Sequence, residues 1–377
     1  MAQHHGTDAF DEMLQELARR RQEFRDLRYV PADFVARLKR LGLYRVATPE
    51  RFGGETMPPA RFLERIERIS AVDGSTGWVA SFGSQLIYLG PLPLESQAEL
   101  YAAGPDVVLA GGLFPVQQAA PTERGFRLNG RWKFASGCMA ADIIVVGIPG
   151  DDATAGKPRG VLVRPAHLEI VQDWDVVGMQ ATGSFDLVAK DVEVGREWSF
   201  IRGGTPVIDE PLYRYPAITY AAQSLSVVTA GIARAALDHA EEAGSGRTGI
   251  TGAPALAERA YYRAGIAEAE ATLRSARAYF YEAADESWQA VAAGGQVSDK
   301  QNAHMRLSAA HLARTSSEVV HKVVSLSGTA AIYRDHPLQH LLGDAQVPQE
   351  HAFLSPAMYD AAGAVLMGRP PTVPAFR

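Results

Sequence analysis

The chain has 377 residues, more than one domain usually holds, so two or three structural units are expected. Its hydrophobic fraction of 47% and charged fraction of 21% are typical of a soluble globular protein. The formal net charge is -6 and there is no block of Lys and Arg, which argues against nucleic acid or a membrane as a partner.

The N-terminal residues and the cysteine content indicate the compartment. The first residues lead into a charged helical pattern without the apolar core of a signal peptide, and no run approaches the roughly 20 apolar residues of a membrane span. Cys138 is the single cysteine, which rules out an internal disulfide and a thiolate metal cluster. We therefore expect a cytoplasmic protein.

The first hundred residues are predicted to be helical. Proline signals that follow an amphipathic pattern predict helices over 31–42 and 58–72. Asp73 then caps an apolar helix that carries Trp78. We predict an N-terminal helical domain over residues 1–105.

Short apolar runs separated by Gly, Pro, Asn and Asp replace the helical pattern after this point. They predict strands over 107–110, 131–135, 143–148, 161–164 and 185–194. The segment 149–158 is rich in Gly, Asp and Pro and is predicted to be an exposed turn. We predict a β domain over residues 106–208.

Long Ala-rich helical patterns then return, over 217–243, 253–293 and 299–327. Glycines at 244–246 and 294–295 break them at lengths that fit an up-and-down bundle. We predict a four-helix bundle domain over residues 209–377. These helices carry more small and apolar faces than one bundle core can bury, which favours a homotetramer.

The segment 126–137 contains the most informative local pattern. Asn129-Gly130 lies between two runs of apolar and aromatic residues, which predicts a two-residue hairpin. Period-two alternation would then place Trp132, Phe134 and Ser136 on one face, which suits a flat cofactor with polar edges. On pattern alone, an aromatic stripe more often indicates ordinary core packing.

Two motifs carry a family resemblance. Phe134-Ala-Ser-Gly137 and Gly178-Met-Gln-Ala-Thr-Gly-Ser184 resemble the flavin-contacting middle domain of the acyl-CoA dehydrogenase superfamily, and the segment 73–78 agrees. The order of a helical, a β and a four-helix domain is that superfamily's α+β fold. The Phe-Ala-Ser-Gly version is most similar to its two-component, reduced-flavin-dependent monooxygenase branch.

The resemblance implies an activity and its partners. A separate NAD(P)H:flavin reductase would supply reduced flavin, as FADH2 or FMNH2, and O2 would form a peroxide at flavin C4a. That peroxide would hydroxylate a small aromatic or heteroaromatic substrate in a pocket that excludes water. The sequence has no Gly-x-Gly-x-x-Gly motif after a strand, which agrees with an outside source of electrons. The resemblance also points to a homotetramer.

The site residues are assigned from the same resemblance and from the predicted elements. Cofactor contacts are expected from Leu113, Phe114, Pro115, Trp132, Phe134, Ser136, Thr182, Arg247, Ser327 and Gly328. Substrate contacts are expected from Trp78, Ser81, Gln85, Cys138 and Phe353. Three alternatives stay open: a solvated loop for Arg247, a helix end for 327–330 and a small buried hydrophobe for Cys138.

The C-terminal segment supplies the candidate for catalysis. Asp344 and His351 match the branch's pattern, in which a histidine seven residues after the aspartate lies by the flavin. His340 and Gly343 occupy positions where the branch has arginines. His351 is expected to take a proton near its ordinary pKa of about 6.5 and to orient the substrate, while Ser136 donates a hydrogen bond.

Two other functions remain open. An FAD-dependent acyl-CoA dehydrogenase needs a carboxylate base at the flavin, and Glu350 or Asp360 would have to serve. A flavin-binding relic without activity would account for the missing arginines. No metal site is expected, because His304 and His311 share a helical face without a carboxylate at ligand spacing.

Overall fold

Helices form the first hundred residues, as the sequence predicts. The structure is a computed structural model that describes residues 2–244 and 254–376. The helices are α1 (Ala2–Leu27), α2 (Ala32–Arg40), α3 (Pro59–Ser70), α4 (Gly74–Ser81) and α5 (Leu94–Leu100). After α4 the chain tightens into a 3₁₀ helix, Phe82–Leu89, so the predicted apolar helix is longer than its α-helical part.

Capping residues set the starts of these helices. Pro59 occupies the first turn of α3, where its missing N–H costs nothing. Asp73 accepts hydrogen bonds from the Thr76 N–H at 2.8 Å and the Thr76 hydroxyl at 2.7 Å. Every residue of α4 is buried, because the helix lies between α3, α6 and α9.

The strands that follow form two sheets. They are β1 (Leu109–Gly112), β2 (Ala119–Pro121), β3 (Gly125–Ala135), β4 (Ile143–Ile148), β5 (Arg159–Val163), β6 (Glu169–Val171), β7 (Phe185–Gly195) and β8 (Ser199–Ile201). The sheet orders are β1-β4-β5-β8 and β2-β3-β7-β6. The five longer strands match the predicted runs, whereas β2, β6 and β8 are too short to show a period. The segment 149–158 is largely exposed, as predicted.

The two sheets pack face to face. Ile144, Val146 and Ile148 of β4 lie in the core between the sheets, whereas Ile143 and Val145 join the core of the helices. This alternation explains why β4 is buried on both faces and reads as an unbroken apolar run.

The predicted hairpin at Asn129-Gly130 is wrong. β3 runs straight through this dipeptide and pairs with β2 on one side and β7 on the other. The irregular register after Leu128 is a bulge, and the Asn129 side-chain oxygen accepts from the Asp191 N–H at 2.9 Å. β7 pairs with β3 both before and after the dipeptide, and β2 pairs with the residues before it. This pairing holds β3 extended and outweighs the local turn preference.

A second irregularity follows Trp132. Phe134 has a φ of 62°, and the register with β7 shifts between Trp132 and Ala135. The alternation that would put Trp132 and Phe134 on one face is therefore interrupted. Trp132 is fully buried, and Phe134 is 64% exposed.

Long helices complete the chain: α6 (Ala217–Gly244), α7 (Ala260–Ala292), α8 (Asp299–Leu326), α9 (Pro337–Gln349) and α10 (Ala357–Leu366). α6, α7, α8 and α9 pack as a four-helix bundle. α7 begins later than its sequence pattern suggests, because Leu256–Glu258 forms a 3₁₀ turn. Within residues 2–244 and 254–376, no helix combines the length and apolarity needed to cross a membrane.

Candidate active site

Helix α4 contacts both the β domain and the C-terminal helices, and the candidate site residues lie around it. The Ser75 hydroxyl accepts from the Ala181 N–H at 3.2 Å, so the first turn of α4 holds the loop before β7. Further along, Val79 lies against Gly137, where an added Cβ would be 3.4 Å from Val79 Cγ1. α4 therefore brings the two motifs of the β domain to the helical part of the molecule.

Ser136, Ser184 and Thr182 form a hydroxyl chain at the end of β3. The Oγ atoms of Ser136 and Ser184 are 2.6 Å apart, Ser184 Oγ and Thr182 Oγ1 are 2.7 Å apart, and Thr182 donates to the Met179 carbonyl at 2.9 Å. Because Thr182 gives its one hydroxyl proton to a carbonyl, Ser184 must donate to Thr182 and Ser136 to Ser184. Ser136, which we expected to donate to a ligand, therefore offers the ligand an acceptor.

Exposed aromatic side chains lie beside the hydroxyl chain. Phe134 is 64% exposed and Phe114 is 55% exposed, and the Lys133 N–H donates to the Phe114 carbonyl at 3.4 Å. The Phe134 ring meets the Trp174 ring edge to face at 6.3 Å. We call Phe114, Phe134 and Trp174 the aromatic rim. Uncovered rings next to a polar acceptor fit the flat, polar-edged ring system of a flavin.

Three residues assigned to ligand contact are buried instead. Trp132 lies in the core between the sheets, and its Nε1–H donates to the Gly147 carbonyl at 2.7 Å. Cys138 lies in the same core, and burial raises the pKa of its thiol to about 12. The Ser81 hydroxyl is buried and donates to the Trp78 carbonyl at 2.7 Å. All three side chains pack inside the protein, so the assignments of these residues to the ligand pocket are wrong.

The other residues assigned to ligand contact differ in how far they are exposed. Leu113 and Gln85 are half-buried and Pro115 is exposed, and their ligand contacts stay predictions. Ser327 caps α8 by donating from Oγ to the Val323 carbonyl, and Gly328 follows with a φ of 67°, so this turn is a helix end. Arg247 lies outside the described residues.

His351 lies between aromatic rings at the far end of α4. Its ring meets those of Trp78 at 5.9 Å and Phe353 at 5.0 Å, both edge to face. The Phe353 N–H donates to Nδ1 at 3.2 Å, so the hydrogen-bond pattern assigns the proton of the neutral ring to Nε2. Burial and then the charges of Arg202 and Arg306 lower the pKa of His351 to about 4, not the ordinary value we expected.

The chain of α9 crosses the loop after β6 at two glycines. A Cβ on Gly178 would lie 2.0 Å from the Gly343 carbonyl oxygen, and a Cβ on Gly343 would lie 2.5 Å from the Val177 carbonyl oxygen. Asp344 then accepts from the Met179 N–H at 2.5 Å. An arginine has no room at Gly343, so this departure from the branch's pattern reflects how closely the two segments approach.

His340 lines a separate cavity of about 290 Å³ together with Arg25, Arg28 and Trp174. Burial first, and then the charges of Arg25 and Arg21, lower the pKa of His340. Asp26 and Asp175 also line this cavity, so its charges are mixed. Trp174 belongs to the aromatic rim as well, so the cavity borders the expected flavin surface.

Two arginines that the sequence analysis did not select flank Phe353. The guanidinium carbons of Arg202 and Arg306 lie 5.0 and 5.3 Å from the centre of its ring. Arg306 is fully buried on α8. Neither arginine belongs to a motif, and helical spacing alone gave no reason to single out Arg306.

The carboxylates that an acyl-CoA dehydrogenase would need lie elsewhere. Glu350 is exposed at the end of α9. Asp360 is exposed and accepts from the Thr372 hydroxyl at 2.6 Å. The dehydrogenase alternative therefore loses the base on which it depended.

Comparisons with known proteins agree with this arrangement. Residues 5–96 and 223–356 match the sequence profiles of the acyl-CoA dehydrogenase N-terminal and C-terminal domains. An indole-3-acetate monooxygenase from Pseudomonas putida is 48% identical over 93% of this chain and 90% of its own. The chain belongs to the acyl-CoA dehydrogenase superfamily, within its branch of flavin-dependent monooxygenases.

Other relatives extend the comparison. An indole-3-acetate monooxygenase from Acinetobacter baumannii is 42% identical over 96% of this chain and 94% of its own. The crystal structure of the HsaA monooxygenase from M. tuberculosis superposes with a TM-score of 0.89 at 27% identity, covering 99% of both chains. The relic alternative loses its support, because these relatives are named as enzymes.

Members of this branch are the oxygenase components of two-component systems. The chain uses reduced flavin and O2 to hydroxylate an aromatic compound, and a separate reductase supplies the electrons. When bound, the flavin supplies the activation of oxygen. The aromatic rim, the hydroxyl chain and His351 are the candidate groups for this chemistry in the described part of the chain.

Proposed function

We propose that this oxygenase acts on indole-3-acetate. The observation that carries the proposal is the 48% identity, over nearly the whole chain, to an enzyme named for that substrate. The aromatic surroundings of His351, with Trp78 and Phe353 edge to face, suit a flat bicyclic ring.

The site residues have distinct roles in this proposal. The aromatic rim covers one face of the flavin ring, and the Ser136 oxygen accepts a hydrogen bond from its polar edge. Because its pKa is about 4, His351 is neutral near pH 7, and its Nε2–H is a hydrogen-bond donor that orients the substrate. Burial around Trp78 and Phe353 keeps water away from the reacting atoms.

Turnover with a nicotinamide-dependent flavin reductase tests the substrate. With indole-3-acetate and ¹⁸O2, we expect a product that carries one ¹⁸O atom, detected by mass spectrometry, and little hydrogen peroxide. The comparison substrate is indole-3-propionate, whose longer side chain displaces the ring. Hydrogen peroxide as the sole oxygen product with indole-3-acetate would contradict the proposal.

His351→Asn tests the orienting role, because the Asn oxygen can still accept from the Phe353 N–H. We expect product per flavin consumed to fall about 100-fold while hydrogen peroxide rises, as for loss of a positioned proton donor. Since the pKa of His351 is about 4, coupling in the wild type should be flat between about pH 6 and pH 8. A midpoint near 6.5 in that profile would contradict a neutral donor.

The assembly and the compartment are also proposed. Exposed apolar side chains at Tyr261, Ile332, Tyr333 and Met367 support a homotetramer, because burial in an assembly removes them from water. A monomer by light scattering at micromolar concentration would contradict it. We place the enzyme in the cytoplasm, where a nicotinamide-dependent reductase can deliver reduced flavin.

A further inference from the structure

Arg306 is a buried cation with unused hydrogen-bond donors. Its side chain is fully buried, and its Nε and Nη1 atoms have no hydrogen-bond partner among the described residues. Nη2 contacts the Met358 sulfur at 2.8 Å, which is a weak acceptor. At least three of the five N–H donors of this guanidinium therefore lack an acceptor among the described residues.

The neighbours of Arg306 add positive charge instead of neutralising it. Arg202 shares the Phe353 ring with it, and no carboxylate in residues 2–244 or 254–376 forms a described ion pair with either guanidinium. Phe376 covers Arg306 on another side, with its ring centre 5.6 Å from the guanidinium carbon. We call Tyr88, Arg202, Arg306 and Phe353 the guanidinium pocket.

Tyr88 supplies another unused group. Its hydroxyl is buried without a hydrogen-bond partner in the part of the chain that the structure describes, and the Arg202 guanidinium carbon lies 5.9 Å from its ring centre. Tyr88 also lines a cavity of about 500 Å³ with Gly203 and Gly204. Tyr88 is the member of the guanidinium pocket that borders this open space, whereas Arg306 is closed off from it.

An uncompensated buried charge is costly, and so is a buried donor without an acceptor. Both costs disappear when an anion with several acceptor atoms enters the pocket. Because Phe353 separates the guanidiniums from His351 by a single ring contact, such an anion would lie next to the substrate ring. A carboxylate has the charge and the oxygen acceptors that arginine binds best.

We propose that Arg306, assisted by Tyr88 and Arg202, binds the carboxylate of the aromatic substrate. The enzyme is then selective for aromatic acids, and the anchored carboxylate sets which ring atom is presented for oxygenation. This inference rests on the proposed function for its substrate but concerns residues that the proposed function does not use.

Arg306→Met tests the anchor with two matched substrates, indole-3-acetate and its uncharged analogue indole-3-acetamide. We expect kcat/KM for the acid to fall at least about 100-fold, as for a lost charged hydrogen-bond partner, and that for the amide to change less than about threefold. Arg306→Lys should restore part of the preference. Equal losses on both substrates would overturn the proposal.

One control variant, one further variant of the anchor and one binding measurement separate the anchor from folding and from flavin binding. Arg65→Met removes a half-buried guanidinium on α3 and should leave the acid-to-amide ratio unchanged. Tyr88→Phe should lower the ratio about tenfold, as one hydrogen bond warrants. The Kd for reduced flavin should be unchanged in Arg306→Met; a large increase would mean that the pocket binds the flavin phosphate and would overturn the proposal.

Thermal unfolding without turnover distinguishes this inference from the proposed function. Indole-3-acetate should raise the Tm of the wild type and not that of Arg306→Met, because only a site that binds it is stabilised. If indole-3-acetate is not oxygenated but aromatic acids still raise the Tm through Arg306, the substrate proposal fails and the anchor stands. If indole-3-acetate is oxygenated and Arg306→Met keeps the preference for the acid, the anchor fails and the substrate proposal stands.

Discussion

The hydroxyl chain and the guanidinium pocket are two buried polar groups in one molecule, and they differ in how their donors are used. In the hydroxyl chain, each hydroxyl donates a hydrogen bond to the next one, and the last hydroxyl donates to the Met179 carbonyl. In the guanidinium pocket, Arg306 and Tyr88 have donors without acceptors among residues 2–244 and 254–376.

The difference indicates which group is complete without a ligand. A network whose hydrogen bonds are all made fixes the shape of its surroundings. The group it leaves available to a ligand is the acceptor oxygen of Ser136. An unsatisfied cation costs free energy until an anion arrives. We infer that the hydroxyl chain shapes the flavin surface and that the guanidinium pocket selects the substrate.

The largest expected effect is on the free energy of unfolding, and it should distinguish a residue that supports the proposed flavin surface from a residue that forms it. Trp132→Ala removes a fully buried ring and its hydrogen bond to Gly147, so we expect a loss of about 3–5 kcal/mol in the free energy of unfolding. Phe134→Ala, two residues along the same strand, should change that free energy by less than about 0.5 kcal/mol. Urea unfolding measures both.

The affinity for reduced flavin should show the opposite order, with the larger effect for Phe134→Ala. Phe134→Ala should weaken binding about tenfold, because it removes an exposed ring of the aromatic rim. If Phe134→Ala binds reduced flavin as the wild type does, the aromatic rim is not the flavin surface.

A smaller effect concerns Asp344, a carboxylate that is only partly satisfied. Desolvation first, and then the Asp73 charge, raise the pKa of Asp344 from 3.8 to about 7, while the Met179 N–H and Arg25 oppose the shift. The folded state therefore favours the protonated form, so this group's contribution to stability is greatest below about pH 4 and is lost as pH rises toward 7.

Asp344→Asn keeps an acceptor for the Met179 N–H and carries no charge. At pH 8 it should be more stable than the wild type by about 2 kcal/mol, and the difference should shrink as pH falls to about 4. Asp151→Asn is the control, because Arg159 helps to lower the pKa of that exposed carboxylate, and its effect at pH 8 should have the opposite sign. A pH-independent difference for Asp344→Asn would show that the charge is not buried.

The smallest effect concerns Ser136. Ser136→Ala removes an acceptor worth one neutral hydrogen bond, so product per flavin consumed should fall about tenfold. A donor to developing charge would cost roughly 100-fold or more, and a loss of that size would contradict the proton order in the hydroxyl chain. Ser226→Ala, which removes an equally buried hydroxyl on α6, should have no such effect.

The sequence predicted most of the architecture because the longer elements carry their own periodic patterns. The helices of the bundle and the runs at 143–148 and 185–194 appear close to where they were expected. Asn129-Gly130 misled because a local turn preference competes with pairing along the whole of β3, and the pairing partner β7 is distant in sequence.

The candidate site was predictable in part. His351 was selected through its spacing from Asp344, and the three residues of the hydroxyl chain lie in the two motifs that carried the resemblance, although their contacts were not predicted. Arg306 was missed because nothing in a helical sequence tells whether an arginine faces water or a pocket without a counterion. Its pKa, lowered to about 10 by burial, expresses a property of the packed molecule.

By itself the sequence determined the order of the elements, since hydrophobic period and capping residues act over a few neighbours. Only the tertiary structure decided which polar groups are satisfied and which rings are covered. Trp132 and Phe134 are near neighbours in one strand, yet one is core and the other is surface, because an irregular pairing with β7 turns them apart. Burial and hydrogen-bond satisfaction depend on residues that are far apart in the chain, and these two quantities separate the scaffold from the site.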